Sequence, residues 1–322
     1  MWRAGGPRGR GGEDVGRAET PRHIYALIAL GVVAVSSSAV LVKLSSTPPV
    51  ALAFYRLVLT WLLLAPVVLA RQGRALLAPG ARDVGAAVAA GVFLALHYAV
   101  WFASLRLTSV ASATVLVTTQ PIWVMLMAYL LWREKTAPAS LLGIAIALGG
   151  VYLIGADALE AAGGRLLGDA LAVAAAILVS VYLLIGQRVR RRVPLLVYVF
   201  WLYGAAAATL GVAALVMGVP LTGHGPSEWL IFFGLAVGPT LLGHTVFNWA
   251  LQHVPASVVA VSVLGEPVGA TLLALLVLAE VPEPIQVAGG ALILTGILVF
   301  LRWRGPEEAP VPASAETGGR TG

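Results

Sequence analysis

The sequence predicts an all-α polytopic membrane protein: ten transmembrane helices arranged as two inverted-topology five-helix repeats. Three observations predict it. The 322-residue chain is 59% hydrophobic and only 11% charged, with a mean hydropathy of +0.90, where soluble domains carry roughly 45–50% apolar and about 25% charged residues. So few charges cannot cover a water-facing surface, which argues against soluble enzymes, nucleic-acid binders and disordered chains. Apolar runs recur along the chain, most of them near the ~20 residues that a membrane helix needs. The second half also repeats the first at a fixed offset, the signature of an internally duplicated architecture.

The runs are 24–44, 50–70, 84–104, 108–132, 138–155, 166–186, 195–217, 228–250, 256–278 and 284–303. Turn chemistry separates them at Thr47-Pro48-Pro49, Ala78-Pro79-Gly80, Gly163-Gly164 and Gly223-His224-Gly225-Pro226. The connections leave no room for a soluble domain. The chain therefore divides into a basic tail (1–22), two repeats (23–157 and 165–304) and a C-terminal tail (305–322), both tails having disordered composition. The first run follows the basic tail without a clear small-residue cleavage site and reads as a retained span rather than a signal peptide. The absence of cysteine excludes disulfides, thiolate metal sites and thiol catalysis.

Lys and Arg orient the chain. Alternating sides through ten spans puts 17 of them on the side holding both termini, among them Arg71, Arg74, Arg82, Arg133, Arg188, Arg190, Arg191 and Arg192. Only Lys43, Arg106 and Arg165 fall on the other side, and Arg56 lies inside a span. The positive-inside rule places both termini in the cytoplasm and the chain in the cytoplasmic membrane.

The repeat offset is 146 residues. It aligns Pro48 with Pro194, Phe54 with Phe200, Pro121 with Pro267, Glu134 with Glu280, Pro138 with Pro284, Gly143 with Gly289 and Gly150 with Gly296. From Ser104 to Ile154 it gives 13 identities in 51 positions; Pro, Glu and Gly carry the weight, because Leu, Ala and Val match cheaply in such a composition. A one-residue slip in the third span of each half aligns His97 with His244 and Ala103 with Ala250. Five spans is an odd number, so the second copy enters from the opposite side. Inverted repeats recur in secondary transporters, with the substrate site near the midplane where the halves meet.

Several stretches stand in this frame: Pro49-Val-Ala-Leu-Ala-Phe-Tyr-Arg56, His97 through Ser104-Leu-Arg-Leu-Thr-Ser109 to Gln120-Pro121, and Leu131-Trp-Arg-Glu134. In the second half they are Gly168-Asp169, Asn248-Trp-Ala-Leu-Gln-His-Val-Pro-Ala-Ser257, Glu266-Pro267 and Glu280. In order and spacing they resemble the EamA-type members of the drug/metabolite transporter superfamily, over about residues 24–303, one unit per half. The resemblance implies ten helices and small-metabolite transport, often export; the substrate expected here is a small organic metabolite, amino-acid-like or similar. Gln120-Pro121 departs from it, standing where the family usually has Glu-Pro.

Seven polar or aromatic residues and two prolines sit where a site is expected. Arg56 lies about two turns into the second span, where a charge costs at least ~2.5–3.5 kcal/mol on insertion scales; it contacts an anion or gates, or else it snorkels to the outer headgroups. Its mate is Leu202. Glu266 is the one acidic residue deep inside a span, near mid-depth, and is the candidate proton carrier or amine contact, with packing as the alternative. Pro267 beside it frees a backbone carbonyl in the preceding turn. Its mate Gln120, with Pro121, can hydrogen-bond but not titrate. His97 with Trp101, and His244 with Asn248, are spaced i,i+4, so each pair shares a helix face. Those faces line a cavity, with Trp101 stacking on a substrate, or they serve interhelical bonding and packing.

Other features have structural readings. Ser36-Ser37-Ser38 allows close packing or a bend, with cavity lining second, and the two glycine pairs at i,i+7 read as helix contact. Glu134, Glu280 and Asp169 compensate helix N-terminal charge. No zinc ligand set accompanies either cavity histidine, and no phosphate loop ending in Lys-Ser/Thr is present, so no ATP is expected. The sequence thus points to a secondary transporter, not an enzyme, with no cofactor and no metal. Its partners are the bilayer and a small-molecule substrate rather than nucleic acid, and it is a monomer or homodimer. The competing readings are an intramembrane enzyme on a lipid-like substrate, a channel, and a non-transporting scaffold or sensor.

The orientation is testable with single cysteines on this cysteine-free background. A cysteine at Ser314 stays unlabelled by an impermeant thiol reagent in intact cells and reacts after lysis; labelling in intact cells overturns the cytoplasmic assignment.

Overall fold

A bilayer core supplies no hydrogen-bond partners, so apolar stretches of this length close their backbone bonds within themselves as helices. The computed structural model describes residues 22–303 apart from 109, 135–136, 162–165 and 279–282. Both tails, the Gly163-Gly164 turn with Arg165, and Glu280 lie outside the described residues. The first repeat comprises α1 (Arg22–Leu44), α2 (Pro49–Gln72), α3 (Ala81–Leu107), α4 (Val110–Val117), α5 (Gln120–Trp132) and α6 (Pro138–Ala161). The second comprises α7 (Leu166–Arg190), α8 (Leu195–Val216), α9 (Pro226–Leu235), a π-helix (Ala236–His244), α10 (Thr245–Ala250), α11 (Ala256–Val263), α12 (Glu266–Leu278) and α13 (Pro284–Trp303). Nine of the predicted spans are long and apolar enough to cross a membrane within described residues, and the remaining one, in α6, is apolar over Pro138–Leu153.

The prolines read as turn residues open helices. Pro49 and Pro226 stand in the first turns of α2 and α9, and Pro194 and Pro255 immediately precede α8 and α11. A proline's missing N–H costs nothing where the helix has no partner for it.

Three predicted spans are not continuous α-helices. The fourth is divided into α4 and α5 at Thr118-Thr119, and the ninth into α11 and α12 at Leu264-Gly265. The repeat offset relates the two breaks. Pro121 and Pro267 have no N–H for the carbonyl four residues earlier, so each helix stops and restarts. Hydroxyls occupy the exposed carbonyls: Thr118 donates to Thr114 O and Val115 O (both 2.9 Å) and Thr119 to Leu116 O (2.6 Å). Each break is also held by the other half. Ser36 of α1 donates to Val32 O (2.8 Å) and shares that hydrogen with Glu266 O (3.1 Å), and Ser180 of α7 donates to Ala176 O (2.6 Å) and shares its hydrogen with Gln120 O (3.2 Å). The eighth span carries the π-helix, in the span where the His97/His244 slip occurs. Bonds closed five residues apart take up an extra residue without ending the helix.

The repeats interlock rather than sit side by side. The mates α2 and α8 pack together, as do α6 and α13, while α3 packs on α7 and α8, and α1 on the π-helix, α10 and α12. Matching cross-ties repeat across the pseudo-symmetry: Tyr55 OH donates to Leu221 O, and its mate Trp201 Nε1 donates to Leu76 O. On the side without termini, Glu228 in the first turn of α9 accepts from Ser45 Oγ (2.5 Å), Ser46 N and Oγ (2.8 Å each) and Thr47 Oγ1 (2.9 Å). On the opposite side, Arg190 donates to Asn248 O (3.0 Å), Gln252 Oε1 (2.5 Å) and Val193 O. His253, in the turn after α10, is held below the ordinary histidine range by burial and by the neighbouring Arg190 charge.

The four paired glycines form the α6–α13 seam. A Cβ on Gly143 would stand 2.5 Å from Phe300 N and 2.8 Å from Gly296 O, and one on Gly296 would stand 2.4 Å from Ala147 N. A Cβ on Gly150 would meet Gly289 O at 2.4 Å. Main chain cannot yield as a flexible side chain can. Gly143→Ala and Gly296→Ala are each expected to cost about 1–3 kcal/mol, read as a lower midpoint of thermal unfolding in detergent. Gly149→Ala, with nothing within 4 Å of its Cβ, leaves the midpoint in place.

Candidate functional site

Where the broken helices face α1, α2, α3, α7 and α10, the packing leaves a central cavity. Its unfilled space is about 590 Å³ counting its open mouth. The polar groups that line it include Ser38, Arg56, His97, Tyr98, Trp101, Gln120, His244 and Glu266. Six sequence candidates, Arg56, His97, Trp101, Gln120, His244 and Glu266, are therefore brought to one place from both repeats.

Arg56 dominates the electrostatics. It is 1% exposed. Its Nε donates to Thr240 Oγ1 (2.8 Å), its Nη1 donates to Ser38 Oγ (3.0 Å), and its Cζ stands 4.1 Å above the Tyr98 ring. These are neutral dipoles and a π face, which hold a guanidinium without cancelling its charge. Nη2 has no partner. The snorkelling alternative is corrected: Arg56 turns inward, because the hydroxyls and the ring that can solvate it lie inside the bundle.

Glu266 opens α12 and is half-buried. Its backbone carbonyl is engaged by Ser36, whereas among the described residues its carboxyl accepts no hydrogen bond. Its mate Gln120 opens α5 and donates Nε2–H to Ala260 O (3.4 Å). The helix restarts thus bring both residues to the cavity, one titratable and one neutral.

An aromatic wall completes the site. Trp101 lies parallel to His97, centroids 6.1 Å apart at 9°, as their i,i+4 spacing allows. His97 Nδ1 is 2.9 Å from Ala175 O; a carbonyl only accepts, so Nδ1 carries the proton and the neutral ring keeps Nε2 as an acceptor. His244 meets Tyr98 edge-on at 5.6 Å. Tyr98 OH, Trp101 Nε1 and His244 Nδ1 are buried without a partner, as is Arg56 Nη2. Four unpartnered polar atoms on the walls of one cavity are unusual, since buried polar groups are overwhelmingly hydrogen-bonded. Three of them belong to N–H or O–H donors, a set that suits an acceptor-bearing ligand.

Asn248, Pro121 and Pro267 do not line the cavity. Asn248 is fully buried behind the wall: Tyr182 OH donates to its Oδ1 (2.7 Å), and its Nδ2 faces Tyr203 OH (3.5 Å). The expectation that it lines the cavity is corrected. Its helix face was read properly, but that face meets two tyrosines. The prolines act through the backbone, by ending α4 and α11. Sequence reading also missed Tyr98, which shares the His97 and Trp101 face, and Thr240, a hydroxyl beside Pro239 within an apolar run. In the serine triplet, Ser36 serves packing and Ser38 reaches the cavity.

The family model of the EamA-like transporter family matches residues 23–156 and 166–302. Two proteins of Archaeoglobus fulgidus, each named an uncharacterized transporter, are similar over 283 residues. One is 28% identical, covering 88% of this chain and 97% of its own; the other is 26% identical, covering 85% and 95%. A crystal structure of a protein 24% identical shares the fold with a TM-score of 0.71, over 86% of this chain and 96% of that one.

The geometry separates two positions that share a helix-face pattern. Trp101→Cys is expected to react with a small hydrophilic thiol reagent, whereas Asn248→Cys stays unreactive until the protein unfolds. Equal reactivity at both overturns the placement of the cavity wall.

Proposed function

The chain belongs to the EamA-like transporter family, and from that premise we propose that it is a secondary transporter that exports a small amino-acid-like metabolite by alternating access. The carrying observation is that one cavity holds a guanidinium and a carboxyl group, each with an unfilled hydrogen-bond position. Arg56 has a vacant Nη2 and no bond to a carboxylate, while the Glu266 carboxyl takes no bond from the described protein. An amino acid carries the complement of both, a carboxylate for Arg56 and an ammonium for Glu266. Trp101, Tyr98 and Phe247 offer apolar surface to its side chain. A bare organic cation is a poorer fit, because the Arg56 charge on the cavity wall opposes it.

The protein sits in the cytoplasmic membrane with both termini inside, and Glu266 couples transport to protons. A carboxyl without protein partners exchanges its proton with whichever side the cavity faces. Binding of the substrate ammonium and of the proton at one group are then mutually exclusive, which is the condition for antiport. An intramembrane enzyme is disfavoured, because among the described residues Glu266 is the only acid lining the cavity.

The test is counterflow in proteoliposomes with a panel of radiolabelled amino acids, with and without a pH gradient. Saturable counterflow of at least one member is expected. If folded protein gives none, the transport reading falls. Glu266→Gln keeps the shape of the side chain, removes titration and recreates the Gln120 of the other half. This variant is expected to insert and fold, to lose gradient-driven accumulation to the level of empty liposomes, and to retain exchange. Glu266→Asp keeps part of the coupled activity. An unchanged rate and pH profile in Glu266→Gln makes Glu266 a packing residue.

A further inference from the structure

We infer that Thr240 is the positioning residue for Arg56, and that the π-helix puts it there. The inference rests on the cavity reading above and adds to it the residue that sets the preference for a carboxylate.

The bond is one-directional by construction. Pro239 has no N–H to give to Leu235 O, four residues earlier, and within the π-helix Thr240 Oγ1 donates to that carbonyl (2.8 Å). A hydroxyl has one hydrogen, so the Thr240 oxygen can only accept from Arg56 Nε, at 2.8 Å. Thr60 Oγ1 braces the same junction, donating to Arg56 O (2.7 Å) and Ala236 O (3.3 Å). With Nε on Thr240 and Nη1 on Ser38, two sides of the planar fork are fixed and Nη2 is left over. A guanidinium held at only one nitrogen could rotate and bring a different N–H to the ligand. Thr240 removes that freedom.

The pair is also asymmetric. The mate of Arg56 is Leu202, and in the slipped register of the third span the position matching Thr240 is Phe93. Neither a cation nor a hydroxyl exists in the equivalent place. The π-helix belongs to the second half, while the matching α3 is regular throughout. Two of the departures from repeat symmetry, the cation and the widened helix, are thus in direct contact. Substrate orientation is a property of that contact rather than of the symmetric scaffold.

The experiment compares uptake of L-alanine and L-alaninamide, which differ in the carboxylate alone, along with the best-transported amino acid of the panel, in wild type, Thr240→Val, Thr240→Ser and Pro239→Ala. In Thr240→Val, KM for the carboxylates rises at least ~10-fold, the scale of one hydrogen bond to a charged group, while kcat changes little. The alanine-over-alaninamide preference falls by the same factor. Thr240→Ser restores both. Pro239→Ala returns an N–H to Leu235 O, releases the Thr240 hydrogen and gives an intermediate loss; it also decides the matter if Thr240→Val does not fold. A wild-type preference that survives intact in Thr240→Val, or in Pro239→Ala where Thr240→Val is unfolded, overturns the role of Thr240 alone. Absence of any carboxylate preference in wild type overturns the cavity reading and this inference with it.

Discussion

Everything in this fold follows from placing interrupted backbone inside a medium that cannot hydrogen-bond. A continuous helix closes its own ladder; a helix broken at mid-depth exposes carbonyls and amides that cost several kcal/mol each if left to hydrocarbon. Here the breaks at Thr118-Thr119 and Leu264-Gly265 lie between the halves, and the hydroxyls of Thr118 and Thr119 bond carbonyls of the turn before the first break. The Ser36 and Ser180 bonds make each break depend on the other repeat. That mutual dependence explains the interlocked packing of α1 and α7 against the opposite repeat's later spans, and it explains why the cavity lies where the two restarts meet.

The scaffold is symmetric and its chemistry is not. Breaks, cross-ties and the glycine seam come in pairs, but Arg56 faces no second cation, Glu266 has a neutral mate in Gln120, and only one third span is widened. Two carboxylates in one dry cavity would repel, and two guanidiniums would leave the site with a net charge that no single small substrate could neutralise. One cation, one acid and neutral mates give a dipolar site.

Much of this was legible in the sequence, and the failures have physical causes. Spans follow from apolar length, and the repeat from proline and glycine, which are irreplaceable where they act. The breaks were hidden because Thr118 and Thr119 are small and uncharged and do not interrupt an apolar run; Pro121 and Pro267 were the visible trace. The π-helix left its mark as the one-residue slip at His97 and His244. Among site residues, helical spacing assigned His97 and Trp101 to the face that reaches the cavity. The same rule could not see that Asn248 faces Tyr182 and Tyr203, because spacing fixes a face and not what lies opposite it. Tyr98 and Thr240 were missed for a related reason: their roles are contacts to Arg56, and a contact between distant helices has no local signature.

The distribution of stiff and yielding contacts bears on alternating access. Along α6 and α13 the backbones meet through glycine at distances that admit no side chain, so this seam moves as a unit or by sliding along its own small-residue surface. The turn after α1, in contrast, is fastened to α9 by hydroxyl and amide donors converging on one carboxylate, Glu228. Those bonds lie at the membrane surface, where water can replace each of them as it breaks. No equivalent cluster ties the turn after α7 to α3 among the described residues; there Arg190 fastens α7 to its own repeat, at Val193, Asn248 and Gln252. The side without termini is therefore closed by a carboxylate cluster between the repeats, and the side with termini by the Trp201–Leu76 bond and the Arg188 guanidinium over the Trp132 ring. A rocking of one repeat against the other strains both sets. In the alternating-access reading proposed above, Glu228 and its hydroxyl partners are among the contacts released when the cavity turns to the side without termini.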